Sequence, residues 1–302
     1  MLTCHNRKEK TVKCIESLVR GNEADIDFIV VDDGSTDGTK EALEELERSL
    51  LTPKETDSRI KVISGDGNLF YSGGMRKAME EAKRDAKNDR AADVYVLAND
   101  DAEFDVRVLD EVCGGLIHVD EQSTVDFAES NANDNRRKNE IVHGRTVVAV
   151  GAMRDSAGNC SYGGVKYTKG IHYKKVTPTD EDRTCDTFNA NFVAIPNHIF
   201  MEMPIIDPVY RHSLGDFDYG LQIKKAGYPI EVTDHFVGTC DNNPSKGTWN
   251  DRTLSRIERI RKKESVKGAP AKQWFYFLKK NFGLLYAIVY SVTPYIRIML
   301  GK

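Results

Sequence analysis

Apolar positions in the first hundred residues follow two alternating rhythms. Val12, Ile15, Leu18 and Val19 recur at helical spacing and predict a helix over residues 11–20. Residues 26–31 form a nearly continuous apolar run, the pattern of a strand buried on both faces. A second helix follows, capped by Ser35 or Thr36, with Ala42, Leu43, Leu46 and Leu50 as its apolar stripe. Short strands are expected at 60–63 and 94–98, with a helix at 73–87 between them. This βαβα rhythm predicts an α/β fold: an open, mostly parallel central sheet flanked by helices on both faces.

Beyond residue 100 the signal is less regular. Residues 121–140 are polar and predict a surface loop or insertion. A strand resumes at 147–153, a glycine-rich hairpin is expected over 155–164, and a short helix at 216–227 closes on Gly227. No internal repeat is present. The last fifty residues differ from the rest, which predicts a main domain over 1–250 and a helical tail over 251–302. Residues 282–296 carry no charge but contain Pro294, and they fall short of the roughly twenty apolar residues a spanning helix needs. Basic, aromatic and aliphatic residues side by side suit a segment lying in a membrane interface, drawn to anionic lipid. Packing of this segment on the body, or pairing of two chains through it, are the other readings.

Charge sharpens the division. The net charge of −4 conceals a balance of +10 over residues 252–302 and −14 over the rest. The acidic body argues against nucleic acid as a partner. The 302 residues have an ordinary globular composition, 40% hydrophobic and 30% charged, which excludes a disordered chain. Six cysteines lie far apart with no CxxC pair, excluding a zinc ribbon and pointing to a reducing compartment. The chain turns polar and basic within eight residues, so no signal-peptide pattern opens it.

Three acidic clusters could carry chemistry. Asp32 and Asp33 lie where a strand passes into a helix, placed to accept hydrogen bonds from a nucleobase or ribose, or merely to cap the turn. Asn99-Asp100-Asp101 follows the strand at 94–98. Oxygen ligands at a fixed strand end suit a hard divalent cation, Asp101 especially, although Asn-Asp is also turn chemistry. Asp216 and Asp218 open a helix, where they would compensate its dipole, or one of them would act as a general base. Residues two apart diverge on a helix, so only one can face a given pocket, and Asp216 is the better choice. His235 is a lone histidine within Val232-Thr233-Asp234-His235-Phe236-Val237, and such a residue is more often a satisfied surface or core side chain than a ligand.

Taken together, these segments resemble the family 2 glycosyltransferases of the GT-A fold, and within them the bacterial rhamnosyltransferase-like subgroup. The resemblance runs through Thr3-Cys4-His5-Asn6-Arg7, Val31-Asp32-Asp33-Gly34-Ser35-Thr36-Asp37-Gly38, Asn68-Leu69-Phe70-Tyr71-Ser72-Gly73-Gly74, Leu97-Ala98-Asn99-Asp100-Asp101 and Gly215-Asp216-Phe217-Asp218-Tyr219. It covers about residues 1–245. It implies that Thr3, Asn6, Arg7, Asp32 and Asp33 contact a nucleotide sugar, with Asn68, Gly74 and Arg76 in a loop beside it. Asn99 and Asp100 would border the same ligand. Asn99-Asp100-Asp101 occupies the family's DxD position, with Asn99 in place of its first carboxylate. Asp101 then becomes the main ligand of Mg²⁺ or Mn²⁺, joined by His235, and Asp216 takes the place of the catalytic base, preceded by Gly215 where a Glu is usual.

The activity so implied is metal-dependent, inverting transfer of a sugar from a UDP- or dTDP-sugar, dTDP-rhamnose among them. The acceptor would be a hydroxyl of a glycan or lipid-linked molecule in cell-surface polysaccharide synthesis. The basic tail implies a cytoplasmic enzyme at the inner face of the plasma membrane. The rival reading is a non-catalytic sugar-nucleotide-binding or membrane scaffold protein. A nucleotidyltransferase would need a glycine-rich phosphate loop that residues 4–10 lack. Only Met1 and Leu2 precede the first motif, where the family has a longer apolar strand. A chain extended by a few apolar residues there is expected to melt higher.

Overall fold

The computed structural model describes residues 1–51, 58–114, 116 and 147–302. The loop expected over 121–140 lies outside the described residues. Strands β1 (Leu2–Cys4), β2 (Asp27–Asp32) and β3 (Arg59–Ser64) pair in parallel in the order β1-β2-β3. β4 (Val94–Ala98) borders β1: the Met1 amino group donates to Val96 O at 2.8 Å, and Ala98 N donates to Met1 O at 3.1 Å. From β4 the sheet continues through β11 (Phe192–Pro196), β6 (Val148–Arg154), β12 (Ile230–Thr239) and β5 (Glu103–Phe104). β11 runs antiparallel to both neighbours, whereas β12 is parallel to β6, so the sheet is mixed on this side. β7 (Cys160–Tyr162) folds back on β6 as the expected hairpin.

β2 explains why the sheet needs two covering layers. Successive side chains of a strand point to opposite faces. Ile29 and Val31 therefore join one core cluster with Met75, Met79 and Ala82 of α3 (Phe70–Lys87), while Phe28 and Val30 join another with Ile15 and Leu18 of α1 (Lys8–Val19) and Leu43 of α2 (Thr39–Leu46). A helix starting at residue 108 (α4, residues 108–114) adds Val108 and Val112 to the α1 side. On the α3 side lie α5 (Asn197–Glu202) and α6 (Gly215–Lys225). Each fully buried Val or Ile contributes about 2 kcal/mol of apolar transfer, which makes β2 a main anchor of the core.

Two helix starts differ from the periodicity. α2 begins at Thr39 behind a left-handed Gly38, not at Ser35 or Thr36, which are both tied to Asn6: Thr36 N donates to Asn6 Oδ1 at 2.8 Å, and Ser35 Oγ accepts from Asn6 N at 2.9 Å. α3 begins three residues early, because the backbone of Phe70 is drawn to the Asp33 carboxylate.

A small antiparallel sheet, β10 (Thr187–Phe188), β8 (Gly164–Lys169) and β9 (His172–Val176), stands beside the main one. Of the C-terminal helices α7 (Arg256–Glu264), α8 (Ala271–Phe282), α9 (Leu284–Ser291) and α10 (Thr293–Met299), α8 and α9 lean on α6 and this small sheet. Phe277 and Leu278 of α8 share a third core cluster with Tyr210 and Leu221, and Ser213 Oγ donates to Lys267 O at 3.1 Å. Among the described residues no helix is long and apolar enough to cross a membrane.

Candidate active site

One cavity of about 750 Å³, within the usual range for ligand pockets, opens at the carboxyl ends of β1, β2 and β4. Thr3, Cys4, His5 and Arg7 come from the end of β1 and the turn after it, Asp33 from the end of β2, and Asn99, Asp100 and Asp101 from the end of β4. Asp216 enters from the first turn of α6.

The Arg7 guanidinium spans the β4 cluster through Nη1, donating to Asp100 Oδ1 at 3.1 Å and Asp101 Oδ2 at 2.8 Å. Burial raises the Asp100 carboxyl to about 6, with the nearby Arg7 charge pulling the other way. Asp101 is the more open of the two, and its Oδ1 faces Cys240 Sγ at 3.8 Å. Two carboxylates at a rigid strand end are hard oxygen donors. They suit a small divalent cation that completes its shell with diphosphate oxygens and water and needs no closed protein cage. In that sense the residues fit Mg²⁺ or Mn²⁺. No group of three or more His, Cys, Asp or Glu side chains is gathered to hold an ion among the described residues.

Asp216 Oδ1 accepts from its neighbour Phe217 N at 2.9 Å, and Oδ2 from Ala190 N at 3.4 Å. Burial nevertheless dominates and raises its carboxyl from 3.8 to about 6. Asp218 points elsewhere: Lys280 Nζ donates to its Oδ2 at 2.7 Å and Asn281 Nδ2 to its Oδ1 at 2.8 Å, tying α6 to α8. The loop before α6 is strapped to α3 by Gly73 N donating to Arg211 O at 3.2 Å and Ser72 Oγ donating to His212 O at 2.7 Å. Leu214 and Phe70 line the cavity with left-handed backbones at φ 73° and 55°, and Asn6 shares that conformation at 51°. Each such non-glycine residue costs on the order of 1–3 kcal/mol, a strain of the kind stored at functional sites.

Several of the expected ligand residues hold the frame of the site together. Asp33 lines the cavity, but its carboxylate accepts Gly67 N and Phe70 N, both at 2.9 Å, and so anchors the 65–70 loop. Asp32 caps the turn after β2 by accepting Ser35 N at 2.9 Å. Asn6 ties its own turn to residues 35 and 36. Gly74 serves close packing: a Cβ there would stand 2.8 Å from Thr3 Cβ, so its absence lets α3 approach β1. Arg76 donates to Tyr210 O at 3.5 Å, and Asn68 O accepts from Arg211 Nη2 at 3.0 Å, so both brace neighbouring loops.

His235 does not line the cavity. Its Nδ1 bonds Asp234 Oδ1 at 2.7 Å, and its Nε2 lies 3.5 Å from Glu111 on α4. Register shifts in β12 between Val232 and Gly238 reset the strand's alternation, and the residue that reaches Asp101 is Cys240, just past the strand's end.

Other cavity residues carried no local signal. Tyr167, Ile171 and Tyr173 come from the small sheet and its turn, and Trp274, Phe277 and Phe282 from α8. Together with Phe217 they make one wall aromatic. His212 also faces the cavity; burial lowers it to about 4, with the charges of Lys267 and Arg7 adding to the effect, and its Nδ1 makes no hydrogen bond. The basic tail pattern pointed to Lys267 only as one charge among twelve.

Residues 1–145 match the family described as Glycosyl transferase family 2. A teichoic acid poly(glycerol phosphate) polymerase of Staphylococcus epidermidis is 30% identical over 83 residues, covering 28% of this chain and 11% of that protein. The chain thus matches about a tenth of that relative's length. Among solved structures, a mannosyltransferase of Pyrobaculum calidifontis, PcManGT, in complex with GDP-Man and Mn²⁺, superposes with a TM-score of 0.53 at 13% identity, over 99% of this chain and 71% of that one. TarS 1–349 of S. aureus superposes with a TM-score of 0.50 at 12% identity, over 98% and 79%. The fold is GT-A, with a C-terminal helical extension.

Proposed function

We propose that this chain, family 2 in its N-terminal half and GT-A in fold, is an inverting glycosyltransferase that uses a nucleoside-diphosphate sugar. The observation that carries the reading is the meeting, in one cavity, of Asp216 with its raised carboxyl and the Arg7–Asp100–Asp101 cluster. A carboxylate titrating at about 6 is ionised at neutral pH yet basic enough to take a proton. Asp216 accepts the proton of an acceptor hydroxyl, whose oxygen attacks the anomeric carbon from the face opposite the diphosphate. The bond from that carbon to the diphosphate oxygen breaks, its electron pair leaves with the nucleoside diphosphate, and the anomeric configuration inverts.

Arg7 and Lys267 bring positive charge to the leaving group. A divalent cation held at Asp101, Mg²⁺ or Mn²⁺, supplies Lewis-acid neutralisation of the diphosphate when bound. The resemblance to the rhamnosyltransferase-like subgroup favours a UDP- or dTDP-sugar, dTDP-rhamnose among them, as the donor. The aromatic wall beside Asp216 suits an acceptor with an apolar face, a glycan or a lipid-linked saccharide. The name of the staphylococcal relative supports a place in cell-surface polymer synthesis.

The test is thermal stabilisation by a panel of UDP-, dTDP- and GDP-sugars with and without Mn²⁺. A ligand at about a hundred times its Kd stabilises by about 2.7 kcal/mol, so a weak donor registers. A metal-dependent shift with one nucleotide class, lost in Asp101→Ala, is expected. A folded sample that responds to none of them would move the reading to a scaffold without transfer activity.

A further inference from the structure

The C-terminal helices bury one face and leave the other bare. Leu284, Leu285, Ile288, Val289, Ile296 and Leu300 of the α9–α10 segment are between 48% and 73% exposed, whereas Ala287, Pro294 and Ile298 are buried. The buried positions are spaced by seven and four residues, close to whole helical turns, and Val292 between the two helices keeps near-helical dihedrals. One side of the segment therefore faces the protein throughout, and the bare apolar residues occupy the other. Single exposed apolar residues are ordinary on a soluble surface; a run of this length is not.

Charge identifies what covers it. Residues 265–302 hold six basic and no acidic residues, and Lys272, Lys279, Arg297 and Lys302 are exposed among them. The two acids of α7 are engaged: Glu258 caps Ser255, and Glu264 accepts from Tyr295 and from Ala271 N. Residues 1–251 carry a balance of −14. An anionic surface thus attracts this edge of the molecule and repels the remainder, which sets an orientation as well as an affinity. The bare face also connects to the cavity. From Phe217, next to Asp216, rings follow one another through Tyr173, Tyr167 and Phe282 to Tyr286 on α9, in steps of 5.0–6.2 Å.

We propose that α9 and α10 lie in the plane of an anionic lipid bilayer, with their apolar face in the interface and the basic residues against the headgroups. Apolar burial and headgroup attraction both contribute to such binding. Each basic residue near the surface is worth about fivefold in partitioning, so binding is strongly salt-sensitive.

The test is flotation of the full chain with vesicles of phosphatidylcholine alone and of phosphatidylcholine mixed with phosphatidylglycerol, at low and high salt. Binding to the anionic vesicles only, weakened by salt, is expected. Leu285→Asp combined with Ile288→Asp should lower it at least about tenfold while leaving the melting temperature unchanged, since both side chains face solvent. Absence of binding, or equal binding to both vesicles, overturns the proposal. So does a concentration-dependent dimer that the same double substitution dissolves, which would assign the face to a second copy of the chain. Flotation needs no turnover, so its failure stands apart from failure of the transfer reaction.

Discussion

Replacing Asp216 by Asn separates chemistry from stability in one experiment. Burial raises this carboxyl from 3.8 to about 6. At about 1.4 kcal/mol per unit, the ionised carboxylate weakens the fold by about 3 kcal/mol. The sign follows from linkage. A raised acid contributes stability that is fully present below 3.8 and is lost as pH rises through about 6. Asn carries no charge and escapes that loss, but its amide group sets a donor against Ala190 N, which forfeits about 1 kcal/mol. The variant should therefore be about 2 kcal/mol more stable than the parent at pH 7.5, and the gain should disappear as pH falls from 6 towards 4. Urea unfolding across that range measures it. Over the same substitution, release of nucleoside diphosphate with the donor found in the thermal panel should fall 10²–10⁴-fold, the usual worth of a general base. The parent's rate should itself drop tenfold per unit below pH 6. An activity loss under about threefold would refute the base assignment. A stability difference independent of pH would refute the buried, titrating carboxylate.

Three further substitutions probe the frame around the site. Asp33→Ala leaves Gly67 N and Phe70 N without their acceptor and should cost about 3 kcal/mol in unfolding free energy, together with weaker donor binding as the 65–70 loop loosens; unchanged stability would show that the loop is held by other contacts. Gly74→Ala drives a methyl group into Thr3 and should cost about 1–3 kcal/mol by thermal unfolding, whereas a neutral result would return Gly74 to a role in ligand contact. His235→Ala should leave the Mn²⁺-dependent thermal shift intact and stability within about 0.5 kcal/mol; loss of the metal effect would restore His235 to the site.

The elements that periodicity marks most clearly are those whose partners do not matter to the pattern. β2 reads as doubly buried because every residue from Phe28 to Asp32 is covered, whatever covers it, and α1 reads as a helix from its stripe alone. The acidic strand ends were legible for the same reason: Asn99-Asp100-Asp101 and Asp32-Asp33 stop apolar runs, and such sheets gather ligands where their strands end. The helix constraint on Asp216 and Asp218 is also local, and the structure turns the two carboxylates to different partners.

What the sequence could not settle is everything that depends on which distant segments meet. The resemblance implies that Gly74 lies in a loop beside the ligand, and only the approach of α3 to β1 makes its missing Cβ a packing requirement. His235 lies within β12 and Cys240 directly after it, and only the pairing of β12 shows that Cys240 is the one to reach Asp101. Trp274 and Phe277 join the cavity from far along the chain because Asp218 holds α8 through Lys280 and Asn281, and Lys267 because its carbonyl accepts from Ser213 Oγ. Hydrophobic period is a property of neighbours along the chain, each residue reporting its own burial. A site is a property of side chains brought together through the core, and no single segment carries that information before the fold has closed.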